Sequence, residues 1–577
     1  MSHYTEEKRR KRLAGEQGAV LKPWGTRVTV ALLYPNTYAQ AMCNLGFLTI
    51  YHLLNSRDDI LCERFFLPDK EELSAFGQGA APLVSLESGR ALRDFDLVAI
   101  SISFENDYLH LPTLFELGRL PLFALDRDAH APLVLCGGVC SFINPEPLAE
   151  IMDLFVVGEG EPVLPVLLDL LTGATASRTE LLKACARIPG VYVPSLYAAR
   201  YHDDGTFAGH RAAAGAPARI VRQWLPDLDR SASRSFVHSA ESEFGDMSLV
   251  EISRGCSRGC RFCAAGFVYL PPRERSLAVL VDQVAAGLCQ RNKIGLISPS
   301  VSDHAALAPL QQEILARGGE FSMSSLRIDS IDAGHVVALL AAGHRSVALA
   351  PEAASQRLRN LINKSLDETQ ILDAVKTLAA GGMLNLKLYF LLGLPTETDA
   401  DIDALLALTE KIRSIWLEAG RSRGRLGKII LSVNPFIPKP FTPLQWAAME
   451  GKSSLERKFK RLRTALAKVP NTEIHFESLK AARLQALLAR ADRRVGRALP
   501  LLAAGANLDA ACRDTGISPD FFIERQREDQ EAFPWEIIDN GTRRSYLRAE
   551  YRGALAGQLT APCHPACRRC GVCGGGA

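Results

Sequence analysis

Two apolar patterns alternate along the first part of the chain. Short runs rich in Val, Leu and Ile, at Arg27–Tyr34, Asp96–Ile102, Pro132–Cys136 and Asp153–Val157, have the length and continuity of strands buried on both faces. Between them lie amphipathic stretches of helical length, of which Ala39–Asn55 is the clearest. Strands separated by helices predict a parallel, doubly wound α/β sheet. In such sheets ligands bind beyond the carboxyl ends of the strands. Gly137 and Gly138 follow one strand, and Gly158-Glu159-Gly160-Glu161 follows the next. Glycine there admits a ligand close to the backbone, or simply makes a tight turn.

Residues 197–245 are polar and read as a linker with room for one hairpin. The alternation resumes at Asp246, with strands expected at Ser248–Ile252, Ile294–Ile297, Glu320–Met323, Ser346–Ala350, Leu384–Leu392 and Lys428–Val433. Five or six such βα units without a dinucleotide fingerprint predict a full or partial (β/α) barrel, with active residues at the strands' carboxyl ends. The remainder reads as mostly helical. The expected division is an extension over 1–25, a doubly wound domain over 26–196, the linker over 197–245, the barrel over 246–477 and a helical region with a Cys-rich tail over 478–577.

The 577 residues are 47% hydrophobic and 23% charged, which excludes a mostly disordered chain. A net charge of +3 gives no bulk polycation. No apolar run reaches membrane-spanning length, and the charged segment from Met1 to Arg12 lacks the apolar core of a secretory signal, so a cytoplasmic protein without membrane association is expected. Arg457–Lys468 and Arg490–Arg494 are basic runs. They suit an RNA phosphate or a solvated helix face, and a single aromatic, Phe459, interleaves them.

Cysteine use changes the picture. Of fourteen cysteines, seven fall in two short windows. With no export signal, metal binding or catalysis explains such clusters better than disulfides. Cys256, Cys260 and Cys263 stand at C-x3-C-x2-C spacing on a loop after a predicted strand. Three thiolates on a four-iron cluster leave one iron open, as a catalytic site requires; the alternative is a zinc knuckle, which lacks a nearby fourth ligand. Arg254, Arg258 and Arg261 are expected to stabilise the anionic thiolates. Cys563, Cys567, Cys570 and Cys573 can saturate a second four-iron cluster or a tetrahedral zinc.

The first window, with Phe262 in its aromatic slot, resembles the radical S-adenosylmethionine (SAM) enzymes. The likeness continues through Pro351-Glu352-Ala-Ala-Ser355 with Arg357 and Lys364, through Gly393-Leu-Pro-Thr-Glu-Thr398, and through Asn434–Pro443. It implies that the open iron chelates SAM and that Glu352, Ser355, Arg357 and Gly393 lie on the cofactor. It also implies a 5′-deoxyadenosyl radical formed with one electron from a donor such as flavodoxin or ferredoxin. No Gly-Gly-Glu follows the second strand, where Ile297-Ser298-Pro299-Ser300 stands instead. The doubly wound domain is similar to the cobalamin-binding domain of one large subclass. Gly137 and Gly138 would lie along the nucleotide tail of cobalamin, and Gly158 and Gly160 at the same crevice. No Asp-x-His-x-x-Gly supplies a lower cobalt ligand, which leaves cobalamin without that ligand or a structural dock. The resemblance therefore implies a SAM-cleaving enzyme, with cobalamin-dependent methylation of an unknown substrate as its leading reaction. The alternatives are a methylthiotransferase-like modification of tRNA or protein and a non-catalytic iron–sulfur module.

Overall fold

A computed structural model describes residues 3–77, 82–173, 177–323, 326–564 and 566–574. The first sheet comprises β1 (Val28–Tyr34), β2 (Ile60–Phe66), β3 (Leu97–Ser101), β4 (Leu133–Gly137), β5 (Leu154–Val156) and β6 (Val191–Tyr192), in the order β2-β1-β3-β4-β5-β6. All neighbours are parallel except β5 and β6. The winding reverses between β1 and β3, so a crevice opens beyond Tyr34 and Ser101. Helices α1 (Leu45–Asn55) and α2 (Gly160–Thr172) cover one face. The Asn44 side chain starts α1 by accepting from the Phe47 amide.

Strand β2 was not expected, because Glu63 and Arg64 interrupt its apolar run. Both charges are buried nonetheless. Arg64 lies 2.6 Å from Glu16 and 2.7 Å from Glu87, so the N-terminal segment supplies one of the carboxylates that make its burial tolerable.

The connector contains the hairpin β7 (Tyr197–Tyr201) and β8 (Phe207–Ala212). Seven parallel strands follow: β9 (Met247–Glu251), β10 (Lys293–Ile297), β11 (Glu320–Met323), β12 (Ser346–Glu352), β13 (Asn385–Leu392), β14 (Ile429–Pro435) and β15 (Thr472–Phe476). They form a three-stranded and a four-stranded sheet, and among the described residues no ladder joins β11 to β12. The barrel is therefore partial. Strand β15 escaped the sequence reading because its short run, TEIHF, is mostly half-exposed at a sheet edge.

One apolar core runs from the second face of the first sheet (Val98, Ile100, Val134) through the barrel (Leu388, Val433) to the C-terminal region (Leu487, Trp535). The C-terminal region is largely helical and includes α3 (Leu479–Arg490) and α4 (Arg544–Leu555). After α4 the chain returns to the barrel. Among the described residues no helix is long and apolar enough to cross a membrane.

Candidate functional site

The three-cysteine loop leaves the barrel just after β9. Its base is closed by pairing of Ser253–Arg254 with Arg273–Glu274. Gly255 has a φ of 81°, and a Cβ there would stand 2.6 Å from the Tyr269 carbonyl oxygen, so the turn requires glycine. The Cys263 amide donates to the Cys260 carbonyl, and a helical turn at Ala265–Val268 follows. Burial pushes the Cys260 thiol up to about 11, with the neighbouring thiols adding and Lys364 opposing. Burial likewise raises Cys263. These thiols are thus protonated when free and would release protons on binding metal. Phe262 packs half-buried against the core.

Glu352 closes β12 at a φ of 64°, where the β12–β13 register is irregular. A non-glycine residue held left-handed at a strand end is the strain expected at a functional position. Its carboxylate lies 3.8 Å from Lys364, and burial raises its pKa. Glu352 acts electrostatically on both Cys260 and Cys263, so the structure brings this predicted residue to the cysteine loop.

Other expected contacts have packing roles. Ser355 caps the helix Gln356–Leu361, and its hydroxyl donates to Asp401. Arg357 is bound to Asp401 and Thr396. Gly393 has a φ of 82°, and a Cβ there would meet Glu450 and Leu455 at 2.9 Å.

The arginines of the loop do not serve as free counter-charges. Arg254 binds Glu251, Glu159 and Glu161 at 2.8, 3.0 and 2.7 Å. Arg258 binds Asp303 while remaining close enough to Cys256 to interact. Arg261 is buried against Glu550 at 3.0 Å and against the carbonyls of Asn360 and Leu361. Each side chain thus ties the loop to a different region. Lys364, 3.8 Å from Glu352, also lies close enough to Cys260 to interact with it.

A cavity of about 590 Å³ joins the first sheet to the barrel. Its walls include Leu32, Ala99 and Leu135 of the sheet, Thr49 of α1 and Leu164 of α2. At its other end stand Ser253, Arg254 and Gly255 of the loop base and Ile297-Ser298-Pro299 after β10. Such a volume and apolar lining suit a small molecule or cofactor. Gly137, Gly138, Gly158 and Gly160 all border it. Gly137 has open space where a Cβ would stand, but a Cβ on Gly138 would lie 2.4 Å from the Ile102 carbonyl and one on Gly158 2.0 Å from the Gln223 carbonyl. One on Gly160 would lie 2.7 Å from Ile50. Asn44 lines the cavity and donates to Ser103.

The tail docks beside the cysteine loop. The Cys563 amide donates to the Ser257 carbonyl at 2.6 Å. Cys567 and Cys570 are buried, and Cys563 and Cys573 are half-buried. Burial pushes Cys563 up to about 12, with the other three thiols adding, so the four share one neighbourhood. Hydrogen bonding from Arg569, whose Nε is 3.3 Å from Cys567 Sγ, lowers the Cys567 pKa. Among the described residues no three His, Cys, Asp or Glu side chains are arranged to clasp a single ion. A cluster gives each thiolate its own iron and does not need them to converge on one point.

The basic runs are mostly engaged within the fold. Arg490 is buried, Arg493 binds Glu146 at 2.8 Å and Arg494 binds Asp492 at 2.7 Å. Lys458 bridges Glu397 and Glu450, and Arg461 binds Asp399 and Asp403. The Arg490–Arg494 cluster is therefore internal scaffolding, not a phosphate-facing surface.

Two family comparisons cover the two α/β parts of this layout. Residues 46–194 match the family described as radical SAM proteins, N-terminal, and residues 250–409 match the radical SAM superfamily. The chain belongs to the radical SAM superfamily. It is an enzyme of that class, whose cofactors are a 4Fe–4S cluster and SAM. An uncharacterised protein of Methanocaldococcus jannaschii is 28% identical over 475 residues, spanning 82% of this chain and 90% of the relative. Among solved structures, the radical SAM methyltransferase TsrM from Kitasatospora setae, with cobalamin and cluster bound, is 17% identical with a TM-score of 0.47, covering 72% of this chain and 77% of its own. The cobalamin-dependent SAM radical enzyme OxsB is 16% identical with a TM-score of 0.42, covering 69% and 56%.

Sequence reasoning missed Glu159 and Glu161 as links to the cysteine loop, and Asn363 as its link to the tail. The glutamates stand in a Gly-Glu-Gly-Glu run whose glycines drew the attention. Asn363 carries no motif, although its φ of 54° is one that Asn tolerates better than most residues.

Proposed function

We propose that Cys256, Cys260 and Cys263 hold the cluster, that Glu352 and Lys364 line the SAM side, and that the enzyme methylates its substrate through a corrinoid held by the first domain. When bound, the reduced cluster supplies the electron that opens a carbon–sulfur bond of SAM. The chain's own residues position the reactants: Arg254 and Arg273 bind Glu159 and so fix the first domain against the loop.

The observation that carries the reading is the cavity joining the sheet crevice to the loop base. Between the sheet and α1 it is a mostly apolar slot, suited to an extended group, with Gly137 open to it. Among the described residues no histidine lines it, so a corrinoid there would have no lower imidazole from the protein. A methylthiotransferase-like reaction is the second reading, favoured by the contact of the tail thiols with the loop.

Anaerobic reconstitution with iron, sulfide, SAM and dithionite tests this. Release of 5′-deoxyadenosine or S-adenosylhomocysteine is expected, and a Cys260→Ala variant should abolish it. Titration with hydroxocobalamin should shift the corrinoid spectrum. SAM cleavage by the Cys256, Cys260, Cys263 triple-alanine variant would overturn the cluster reading. Absence of corrinoid binding would overturn the corrinoid reading and favour substrate in the cavity.

A further inference from the structure

Two cysteine groups some three hundred residues apart in sequence share one small space. Cys256 from the loop and Cys563, Cys567 and Cys570 from the tail line a single cavity of about 20 Å³. The hydrogen bond from Cys563 to Ser257 joins the groups through the main chain. A second lock stands beside it. The Asn363 amide donates to the carbonyls of Gly259 and Thr560 at 3.1 Å each, and accepts from the Thr560 amide at 2.9 Å. A third is Arg261, which reaches both Glu550 and Thr560. Docking therefore has its own protein contacts, and a structural ion is not needed to hold the tail in place. What the four thiols add must lie in their chemistry. Zinc is redox-silent. Iron–sulfur clusters exchange single electrons, at potentials set by charge, hydrogen bonds and exposure. Electron tunnelling falls off exponentially with distance, so a redox centre in contact with the loop exchanges electrons with it far faster than a remote one.

The outer side of the tail is open to solvent. Pro562, His564, Arg568 and Arg569 are exposed, and Arg543, also exposed, donates to the Arg568 and Arg569 carbonyls. This cation-bordered face suits an acidic protein, which electrostatics would steer onto it.

We propose that Cys563, Cys567, Cys570 and Cys573 hold a cluster that takes single electrons from an acidic flavin or iron–sulfur donor protein and passes them to the Cys256–Cys263 loop. Each transfer oxidises the donor by one electron. The tail centre is reduced by one electron and reoxidised as the loop centre is reduced, and no bond is made or broken. The proposal rests on the loop holding a cluster, as argued above.

The test uses the reconstituted full-length enzyme with reduced flavodoxin or dithionite as alternative reductants. Metal content and cluster bleaching in stopped flow are read directly. Wild type should carry about eight irons per chain, and a Cys567→Ser/Cys570→Ser variant about four. In that variant flavodoxin should bleach the remaining cluster at least about tenfold more slowly, while the dithionite rate stays near wild type. Arg568→Glu, an exposed change, should keep all the iron and slow only the flavodoxin reaction, with the difference shrinking at high salt. Zinc in place of the tail iron, or an unchanged flavodoxin rate in the double-serine variant, would overturn the proposal. Failure of wild type to form a loop cluster or cleave SAM with dithionite would instead overturn the reading on which it rests.

Discussion

Replacing Asn363 with alanine separates docking of the tail from its chemistry. The residue is 3% exposed and makes three hydrogen bonds, two from its amide to Gly259 and Thr560 and one accepted from Thr560. Alanine leaves up to three main-chain groups without their protein partners. At the low end of the cost per orphaned group, the loss is about 3 kcal/mol. Alanine at a φ of 54° adds strain of about 1 kcal/mol. That strain and the bond to Gly259 do not belong to the tail, so the tail itself loses two bonds and about 2 kcal/mol, roughly thirtyfold in its docking equilibrium. Hydrogen exchange read by mass spectrometry measures this directly, because the Cys563 amide, bonded to the Ser257 carbonyl, is protected only while the tail is docked. Its exchange should quicken by roughly thirtyfold in Asn363→Ala, with the first sheet unaffected. Asn363→Gly relieves the backbone strain but restores no hydrogen bond, so it should recover about 1 kcal/mol of global stability and none of the tail protection. Wild-type protection of the Cys563 amide in Asn363→Ala would refute the reasoning.

Gly138→Val should lower stability by about 3 kcal/mol or more, since its Cβ would meet the Ile102 carbonyl at 2.4 Å, whereas Gly137→Ala should fold normally and weaken only what binds in the cavity. Thermal unfolding of the pair checks this, and equal melting temperatures would contradict it. Burial raises the Asp107 pKa to about 6, against help from Asn36. A carboxyl with a raised folded pKa favours the fold while protonated, so its contribution is present below about pH 4 and lost as pH rises through 6. Asp107→Asn should therefore stabilise the protein by roughly 2 kcal/mol at pH 8 and by little at pH 4, as denaturant titration at the two pH values would show.

The cysteine loop was legible because its chemistry is local. Three thiols within eight residues, with glycines at 255 and 259, dictate a turn that gathers sulfur whatever the rest of the chain does. The doubly wound sheet was legible for a similar reason, since continuous apolar runs leave few other choices. Strand β2 was not, because burial of Arg64 depends on Glu16 and Glu87, whose approach no local pattern encodes. The same limit hid the place of the tail. Its spacing announced metal binding, but the contact with Ser257 is a main-chain hydrogen bond, and a main-chain donor leaves no signature in side-chain sequence.

The loop arginines show how a residue choice can carry an incomplete physical reason. A guanidinium near thiolates is the expected electrostatic partner, and the sequence offered three. Yet Arg254, Arg258 and Arg261 all bind carboxylates, from the first domain, the barrel and the C-terminal region respectively. A free arginine would stabilise anionic sulfur but would leave the loop mobile. A paired one fixes the loop while its charge is largely offset. The fold has taken the second course, with Lys364, beside Glu352, lowering the Cys260 pKa electrostatically. That choice suits a site whose sulfur atoms must stay in register with a cavity built by another domain. Breaking the Glu159 and Glu161 bonds to Arg254 would remove one tie between the first domain and the loop, leaving the Arg273 tie to Glu159 in place and touching no sulfur atom, and any effect on chemistry would then measure how far the reaction depends on that tie.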